Sequence, residues 1–257
     1  LFVTLAGILG LIFGSFATAA AYRIPRREQL SKGRSKCPNC GHEISAIENI
    51  PVLSYFYLRA KCRHCGARIS IRYPLTEAGT AALFALSAWK FEATFGMLAF
   101  CAFFWVLVVL TVIDLEFKLL PNRVVYPSFI VGWVVLVVLA LIDGTPGRLV
   151  DGLIGALIFG GFFFLLAFLV PAGMGMGDVK LGFVLGSFLG FLDGPGLVLL
   201  AMFLAFLSGG VIGGVVAVAT RGGRKMKIPF GPFLALGTTI AIFVGRPILD
   251  AYLGSFS

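Results

Sequence analysis

The chain has 257 residues, of which 59% are apolar and 13% are charged, and its mean hydropathy is +0.99. A soluble domain carries about 25% charged residues, so most of this chain cannot face water, and intrinsic disorder is excluded because disorder needs low hydrophobicity. A net charge of +9 would suggest nucleic acid in a soluble protein, but in so apolar a chain it reports membrane topology, and we expect no nucleic-acid partner.

Apolar runs long enough to cross a membrane recur along the chain. A helix needs about 20 apolar residues to span the hydrocarbon, and we predict an all-α polytopic membrane protein with about eight such helices. One run is short and is separated from the next by the turn Asp193-Gly194-Pro195-Gly196. The predicted spans are residues 1–22, 75–91, 96–115, 124–142, 149–171, 179–192, 197–219 and 229–253.

Lysine and arginine segregate between the two sets of connecting loops. Loops on one side, with their flanks, hold 18 of the 21 Lys and Arg residues, and 11 of these lie between Arg23 and Arg72. Because cytoplasmic loops are enriched in Lys and Arg, we predict that residues 23–74 are cytoplasmic and that both termini are outside. The same basic face suits a bilayer with anionic headgroups.

Four of the five cysteines form two pairs, Cys37-x2-Cys40 and Cys62-x2-Cys65, with 21 residues between them. Each pair points two thiolates at one centre, so the two pairs supply four tetrahedral zinc ligands and leave no open coordination position. Two disulfides are the alternative, but the cytoplasm keeps thiols reduced, and redox chemistry would need only one pair. We expect a structural zinc that folds a segment lacking a core of its own.

Two acidic residues lie at span ends, where a charge is costly. Asp114 is near the end of the third span, and Asp178 follows three glycines in the motif 173–178. Two spans separate these aspartates, so both return to the same membrane face. Two carboxyl groups that meet share one proton, so one acts as a base on water while the other polarises a carbonyl. Pairing of the aspartates with Lys118 or Lys180 is the alternative.

Small residues recur at a spacing of four on the short helix and on the helix after it. This pattern is typical of tight helix crossing, with high glycine usage by chance as the alternative. No long-period repeat is present, so an inverted-repeat transporter has no support. The sequence leaves the oligomeric state open, because such faces could pack within one chain or between two. The residues are Gly182, Gly186, Gly190, Gly210 and Gly214.

Taken together, these motifs resemble the type IV prepilin peptidase family of GxGD intramembrane aspartyl proteases. The resemblance covers nearly the whole chain, and the order of its blocks makes it specific. One departure is Asn122, where many members have aspartate after Leu-Pro. The matching blocks are residues 35–40, 48–55, 61–65 and 72–74 with Glu77, the Asp-x6-Pro stretch 114–121, and the GxGD element 175–178.

The resemblance implies a peptidase that removes the leader from type IV prepilins or type II secretion pseudopilins at the cytoplasmic membrane face. It implies that Asp114 and Asp178 are catalytic and that Gly175 and Gly177 form the supporting loop. It also implies methylation of the new amino terminus with S-adenosylmethionine. No G-x-G-x-x-G follows a strand in this sequence, so a methyl-donor site is built differently, and loop 41–61 is the candidate region.

We therefore predict a protein of the bacterial inner membrane in three parts. Residues 1–22 form the first transmembrane helix, residues 23–74 a zinc-ribbon-like cytoplasmic domain, and residues 75–257 a membrane-embedded aspartyl protease domain. Two alternatives belong to other functional classes: a transporter or proton-conducting protein that uses buried acids, and a methyltransferase whose aspartates are structural.

Overall fold

The computed structural model is built from helices and describes residues 1–30, 35–170, 175–219 and 229–254. These residues form no β-strand, which confirms the predicted all-α class, and they fall into two compact units, residues 1–112 and 113–257. A short 3-10 turn covers Ile47–Asn49. The helices are α1 (Phe2–Arg23), α2 (Leu53–Tyr57), α3 (Arg72–Phe91), α4 (Phe95–Phe117), α5 (Asn122–Ile142), α6 (Gly147–Leu169), α7 (Met176–Ala219) and α8 (Gly231–Gly254).

Six helices within the described residues are long and apolar enough to cross a membrane: α1 and α4 to α8. Helix α3 is not among them, and α7 counts once although its backbone is non-helical at Asp193 and Gly194. That break falls at the predicted turn, so α7 contains both the predicted short helix and the span after it. Each of the eight predicted spans therefore coincides with helix, although the end of 149–171 lies outside the described residues.

Helix α3 lies antiparallel to α1, and glycines on α1 make the contact close. A Cβ at Gly14 would lie 2.6 Å from the Cα of Glu77, and one at Gly10 would lie 2.6 Å from the Cα of Ala81. Small residues allow helix backbones to approach this closely. Because the two helices run side by side, we expect a bilayer that is crossed by α1 to be crossed by α3 as well, even though α3 contains the buried carboxyl group of Glu77.

Helices α6 and α7 also meet backbone to backbone in the second unit. A Cβ at Gly186 would overlap the carbonyl oxygen of Gly155, and one at Gly190 would overlap that of Asp151. The spacing of four on the short helix is therefore a tight crossing. The same spacing at 210 and 214 is not, because a Cβ at either position would meet no described atom within 4 Å.

Candidate active site and metal centre

The four paired cysteines come together as predicted. Their sulfur atoms all lie within 4.8 Å of one another, and the Sγ atoms of Cys37 and Cys65 are 3.9 Å apart. A tetrahedral zinc ion with bonds of about 2.3 Å would place its sulfur ligands about 3.8 Å apart. All four cysteines are free of disulfides. The cluster therefore fits a four-sulfur metal site and not the disulfide alternative.

The two cysteine turns have the same backbone geometry. In each turn the N–H of the glycine after the second cysteine donates to the carbonyl of the first, from Gly41 to Cys37 and from Gly66 to Cys62, at 2.9 Å. Both glycines lie in the left-handed region, with φ of +71° and +70°, which glycine adopts without steric cost. This repeated geometry aims each pair of sulfurs at one centre.

Hydrogen bonds favour the thiolate, which is the form that binds a metal, at two of the four cysteines. The backbone N–H of Ala67 and the side-chain amide of Asn39 lower the pKa of Cys65 to about 6. The backbone N–H groups of Cys40 and Asn39 lower the pKa of Cys37 below its ordinary value. Because the deprotonated sulfur is the metal ligand, these donors favour metal binding at Cys65 and Cys37, whereas burial and the neighbouring cysteine side chains raise the pKa of Cys40 to about 11.

Asp114 is buried in the last turn of α4, where 5% of its surface is exposed. Its Oδ2 accepts a 2.9 Å hydrogen bond from the backbone N–H of Gly231, the first residue of α8. The first N–H groups of a helix have no partner inside that helix, so the carboxyl group supplies one from another helix. A Cβ at Gly231 would lie 2.6 Å from the same oxygen, so glycine is required at this contact.

Asp178 lies in the first turn of α7, and its N–H donates to the carbonyl of Gly175 at 3.1 Å. Gly177 faces the loop after α4, because a Cβ there would lie 2.9 Å from the Cβ of Leu120. The carboxyl groups of Asp178 and Asp114 are close enough to interact electrostatically. The two predicted aspartates thus lie within electrostatic range of each other, while residues 173 and 174 of the motif lie outside the described residues.

The lysine beside this site is directed elsewhere. The Nζ of Lys180 donates to the Oδ1 of Asn122 at 2.9 Å and lies 4.9 Å from the ring centroid of Tyr126. Its charge therefore binds the start of α5. Among the described residues, neither Asp114 nor Asp178 forms an ion pair, so the structure does not favour pairing of these aspartates with lysine.

Comparison with known proteins agrees with this arrangement. Residues 8–91 match the bacterial peptidase A24 N-terminal domain, and residues 101–214 match the type IV leader peptidase family. A relative from Pseudomonas putida, named prepilin leader peptidase/N-methyltransferase, is 33% identical over 96% of this chain and 92% of its own. A relative of the same name from Bacillus subtilis is 33% identical over 96% of this chain and 96% of its own. Another from Aeromonas hydrophila is 34% identical over 100% of this chain and 95% of its own. The chain belongs to the type IV leader peptidase family. No solved structure matches it.

In this family member the metal site and the candidate active site lie in different matched regions. All four cysteines lie in the N-terminal match and both aspartates lie in the second. Gly231 lies beyond residue 214, outside both matches, yet it touches Asp114. Sequence reasoning missed Gly231, and the available signal was its position before Pro232 at the start of the last predicted span, a pair typical of a helix start.

Aromatic packing holds Gly231 in place. The ring of Phe230, the preceding residue, lies 5.4 Å from that of Phe206 and 5.9 Å from that of Phe163, between centroids. The rings of Phe206 and Phe163 are themselves stacked at 5.7 Å with an interplanar angle of 4°. Aromatic pairs in such arrangements stabilise packing by about 0.5–1.5 kcal/mol beyond the area that they bury. Helices α6 and α7 therefore position the N–H that binds Asp114.

Proposed function

We propose that this chain is an intramembrane aspartyl endopeptidase that removes the leader from type IV prepilins or type II secretion pseudopilins and then methylates the new amino terminus. The proposal takes its substrate class from the names of the relatives and from the family match. One observation supports the chemistry: two carboxyl groups from α4 and α7 lie within electrostatic range of each other at helix ends, without a neutralising ion pair among the described residues.

Two carboxyl groups in this arrangement hydrolyse a peptide bond by sharing a proton. The ionised member removes a proton from water, and the hydroxide formed adds to the scissile carbonyl, whose oxygen is polarised by the protonated member. The tetrahedral intermediate then collapses, and the leaving amine takes a proton from the dyad. The Gly231 N–H already binds Oδ2 of Asp114, so Oδ1 is the oxygen of that residue left to exchange protons with water.

The four-cysteine cluster would hold zinc through Cys37, Cys40, Cys62 and Cys65. Four thiolates fill a tetrahedral zinc ion, so the metal would supply folding energy and no open position for catalysis. We infer S-adenosylmethionine as the methyl donor because the relatives are named N-methyltransferases. A Rossmann-type donor site needs a strand, and the described residues form none, so a methyl-donor site in this chain is of another kind.

The chain is a multi-pass protein of the inner membrane, and we propose its orientation from the charge pattern. With 18 of 21 basic residues on one set of loops, that set faces the cytoplasm. Asp114 and Asp178 then lie at the cytoplasmic boundary, where the leader of a membrane-anchored pilin precursor ends. The basic residues of this face would contact anionic headgroups.

Incubation of the purified enzyme with a prepilin, with and without S-adenosylmethionine, tests both activities in one measurement. Mass spectrometry should detect leader release under both conditions and a mature chain one methyl group heavier only when the donor is present. Intact prepilin under both conditions would rule out the peptidase. Cleavage without any methylated product would leave a peptidase alone. The relatives do not favour a transporter or a methyltransferase with structural aspartates.

A further inference from the structure

The short helix α2 exposes an apolar face although it belongs to a basic, water-facing loop in the predicted topology. Leu53, Phe56 and Tyr57 are 67%, 69% and 69% exposed. Their spacing of i, i+3 and i+4 places all three on one side of the helix. Ile47 and Ile50, which precede α2, are exposed as well. Soluble surfaces rarely gather so many large apolar side chains.

A buried carboxyl group ties α2 to the membrane helices of its own unit. The N–H of Val52, the residue before α2, donates to the Oε2 of Glu77 on α3 at 2.7 Å. Val52 has φ of +61°, a conformation that is unfavourable for a β-branched residue and persists only where the surroundings impose it. Glu77 is in turn held against Gly14 of α1. The start of α2 is therefore fixed at the level of Glu77.

That level lies inward of the charged helix ends. Glu77 is five residues beyond Arg72, the first residue of α3, which is about 7 Å along the axis. Gly14, which faces Glu77, is nine residues before Arg23 at the end of α1, which is about 13 Å along that axis. The headgroup layer on each side of a bilayer is about 5–7 Å thick. The depth along α3 matches this layer and the depth along α1 exceeds it, so the tether to Glu77 holds the start of α2 at or just below the boundary between headgroups and acyl chains.

The charge around α2 complements an anionic membrane surface. Exposed basic residues follow the helix directly, and the nearest of them is Arg59, two residues after its end. Basic residues next to an apolar and aromatic helix face are typical of helices that lie in a membrane interface, and of these residues Arg63 forms an ion pair with Glu48 at 3.9 Å. The other exposed basic residues of this stretch are Lys61, Arg63, Arg68 and Arg72.

We propose that α2 is an interfacial helix that inserts Leu53, Phe56 and Tyr57 into the cytoplasmic leaflet and holds the cysteine cluster against the bilayer. The inference rests on the proposed orientation of the chain and not on its proposed chemistry. The alternative is that this face binds the pilin precursor. In that case Phe56 would contact the precursor instead of lipid.

Photocrosslinking of the full chain in nanodiscs of phosphatidylglycerol and phosphatidylcholine tests the insertion. Benzoylphenylalanine is placed at Phe56, at Glu43 as a control exposed in the same segment, and at Leu9 as a lipid-facing reference in α1, and adducts are identified by mass spectrometry. We expect a lipid adduct at position 56 in an amount comparable with that at position 9, and no lipid adduct at position 43. Glu77→Ala should reduce the adduct at position 56, while Glu77→Gln, which keeps a hydrogen-bond acceptor for Val52, should retain it.

Asp114→Asn in the same nanodiscs should abolish prepilin cleavage and leave the lipid adduct unchanged, so failure of the insertion and failure of the peptidase proposal can be told apart. When prepilin is added to the nanodiscs, crosslinking of position 56 to prepilin and not to lipid would overturn the insertion and indicate a substrate-docking face. An absence of lipid adducts at position 56, with normal adducts at position 9, would also overturn it, because α2 would then face water.

Discussion

Asp114 and Gly231 form the contact that shapes the candidate active site at the residue scale. They are 117 residues apart in sequence and joined by a single buried hydrogen bond of 2.9 Å. The preceding residue, Phe230, packs against aromatic rings of α6 and α7, and this packing positions the donor. A carboxyl group held by a preorganised donor keeps its orientation when substrate binds.

Substitution of that glycine is expected to displace the carboxyl group. In Gly231→Ala the new Cβ would lie 2.6 Å from Oδ2 of Asp114, and a shift of this kind lowers a catalytic rate by roughly 10²-fold. The measurement is the rate of prepilin cleavage. Gly161→Ala is the matched control, because no described atom lies within 4 Å of its Cβ. Equal rates for both variants and the wild type would show that the contact does not position Asp114.

Glycine contacts decide at the element scale which helices meet backbone to backbone. On α6, Gly160 lies directly under the ring of Phe183 of α7, and an added Cβ would overlap that ring. The neighbouring Gly161 faces open space. Two adjacent glycines on one helix therefore differ in whether a side chain could replace the hydrogen. The difference depends on what each glycine packs against.

The α6–α7 contact predicts a selective loss of stability. Gly160→Ala should destabilise the protein by about 1–3 kcal/mol because it overpacks this crossing, and Gly161→Ala should have little effect. Thermal unfolding in detergent measures both variants. Adding Phe183→Leu to Gly160→Ala should recover part of the loss, since it removes the ring. No recovery in the double variant would place the cause of the loss elsewhere.

The cysteine segment predicts a metal requirement at the same scale. The wild type should contain about one zinc per chain by elemental analysis, because its four thiolates complete one tetrahedral site. Cys62→Ser should lose the zinc and make residues 35–71 sensitive to protease, since the segment has no other core. Cys101→Ser is the control, because Cys101 is buried in α4 away from the cluster. Full zinc content in Cys62→Ser would refute the site.

Topology is the question at the scale of the whole molecule, and it depends on α3. Helix α3 is too polar to qualify as a span by composition, yet it runs antiparallel along α1 through glycine contacts. If α3 crosses the membrane, the loop after α4 is cytoplasmic and the loop after α5 is outside. If α3 does not cross, these two loops exchange sides, and the basic residues no longer segregate.

Reporter fusions distinguish the two topologies. Alkaline phosphatase, which is active only outside the cytoplasm, should be active when fused after Gly144 and inactive when fused after Lys118. The expected pattern follows from crossing by α3 and from the concentration of basic residues on one face. Activity after Lys118 with none after Gly144 would show that α3 does not cross.

Local patterns predicted much of this molecule, because the relevant signals lie within a few residues of one another. The spacing of the two cysteine pairs predicted the four-sulfur cluster, and the turn residues at Asp193 and Gly194 predicted the break in α7. The position of each aspartate at a helix end also followed from hydropathy. An even number of crossings predicted that both aspartates lie on one face, but it does not predict how close they come to each other.

Contacts between distant residues could not be predicted in the same way. The spacing of four at 182–190 and at 210–214 looks identical in sequence, and only the backbone of α6 makes the first a tight crossing. Helix α2 is five residues long, too short to show a period. The bonds from Gly231 to Asp114 and from Val52 to Glu77 join segments 117 and 25 residues apart, and no local rule pairs them.

The most direct test of the aspartyl peptidase is cleavage of a prepilin by three matched variants. Asp114→Asn and Asp178→Asn each remove one titratable carboxyl group at nearly constant volume, and Asp143→Asn makes the same change at an exposed residue at the end of α5. We expect the first two variants to lower the cleavage rate by roughly 10²–10⁴-fold, with unchanged thermal unfolding, and Asp143→Asn to cleave like the wild type. Normal cleavage by either Asp114→Asn or Asp178→Asn would show that the two aspartates are not the catalytic pair.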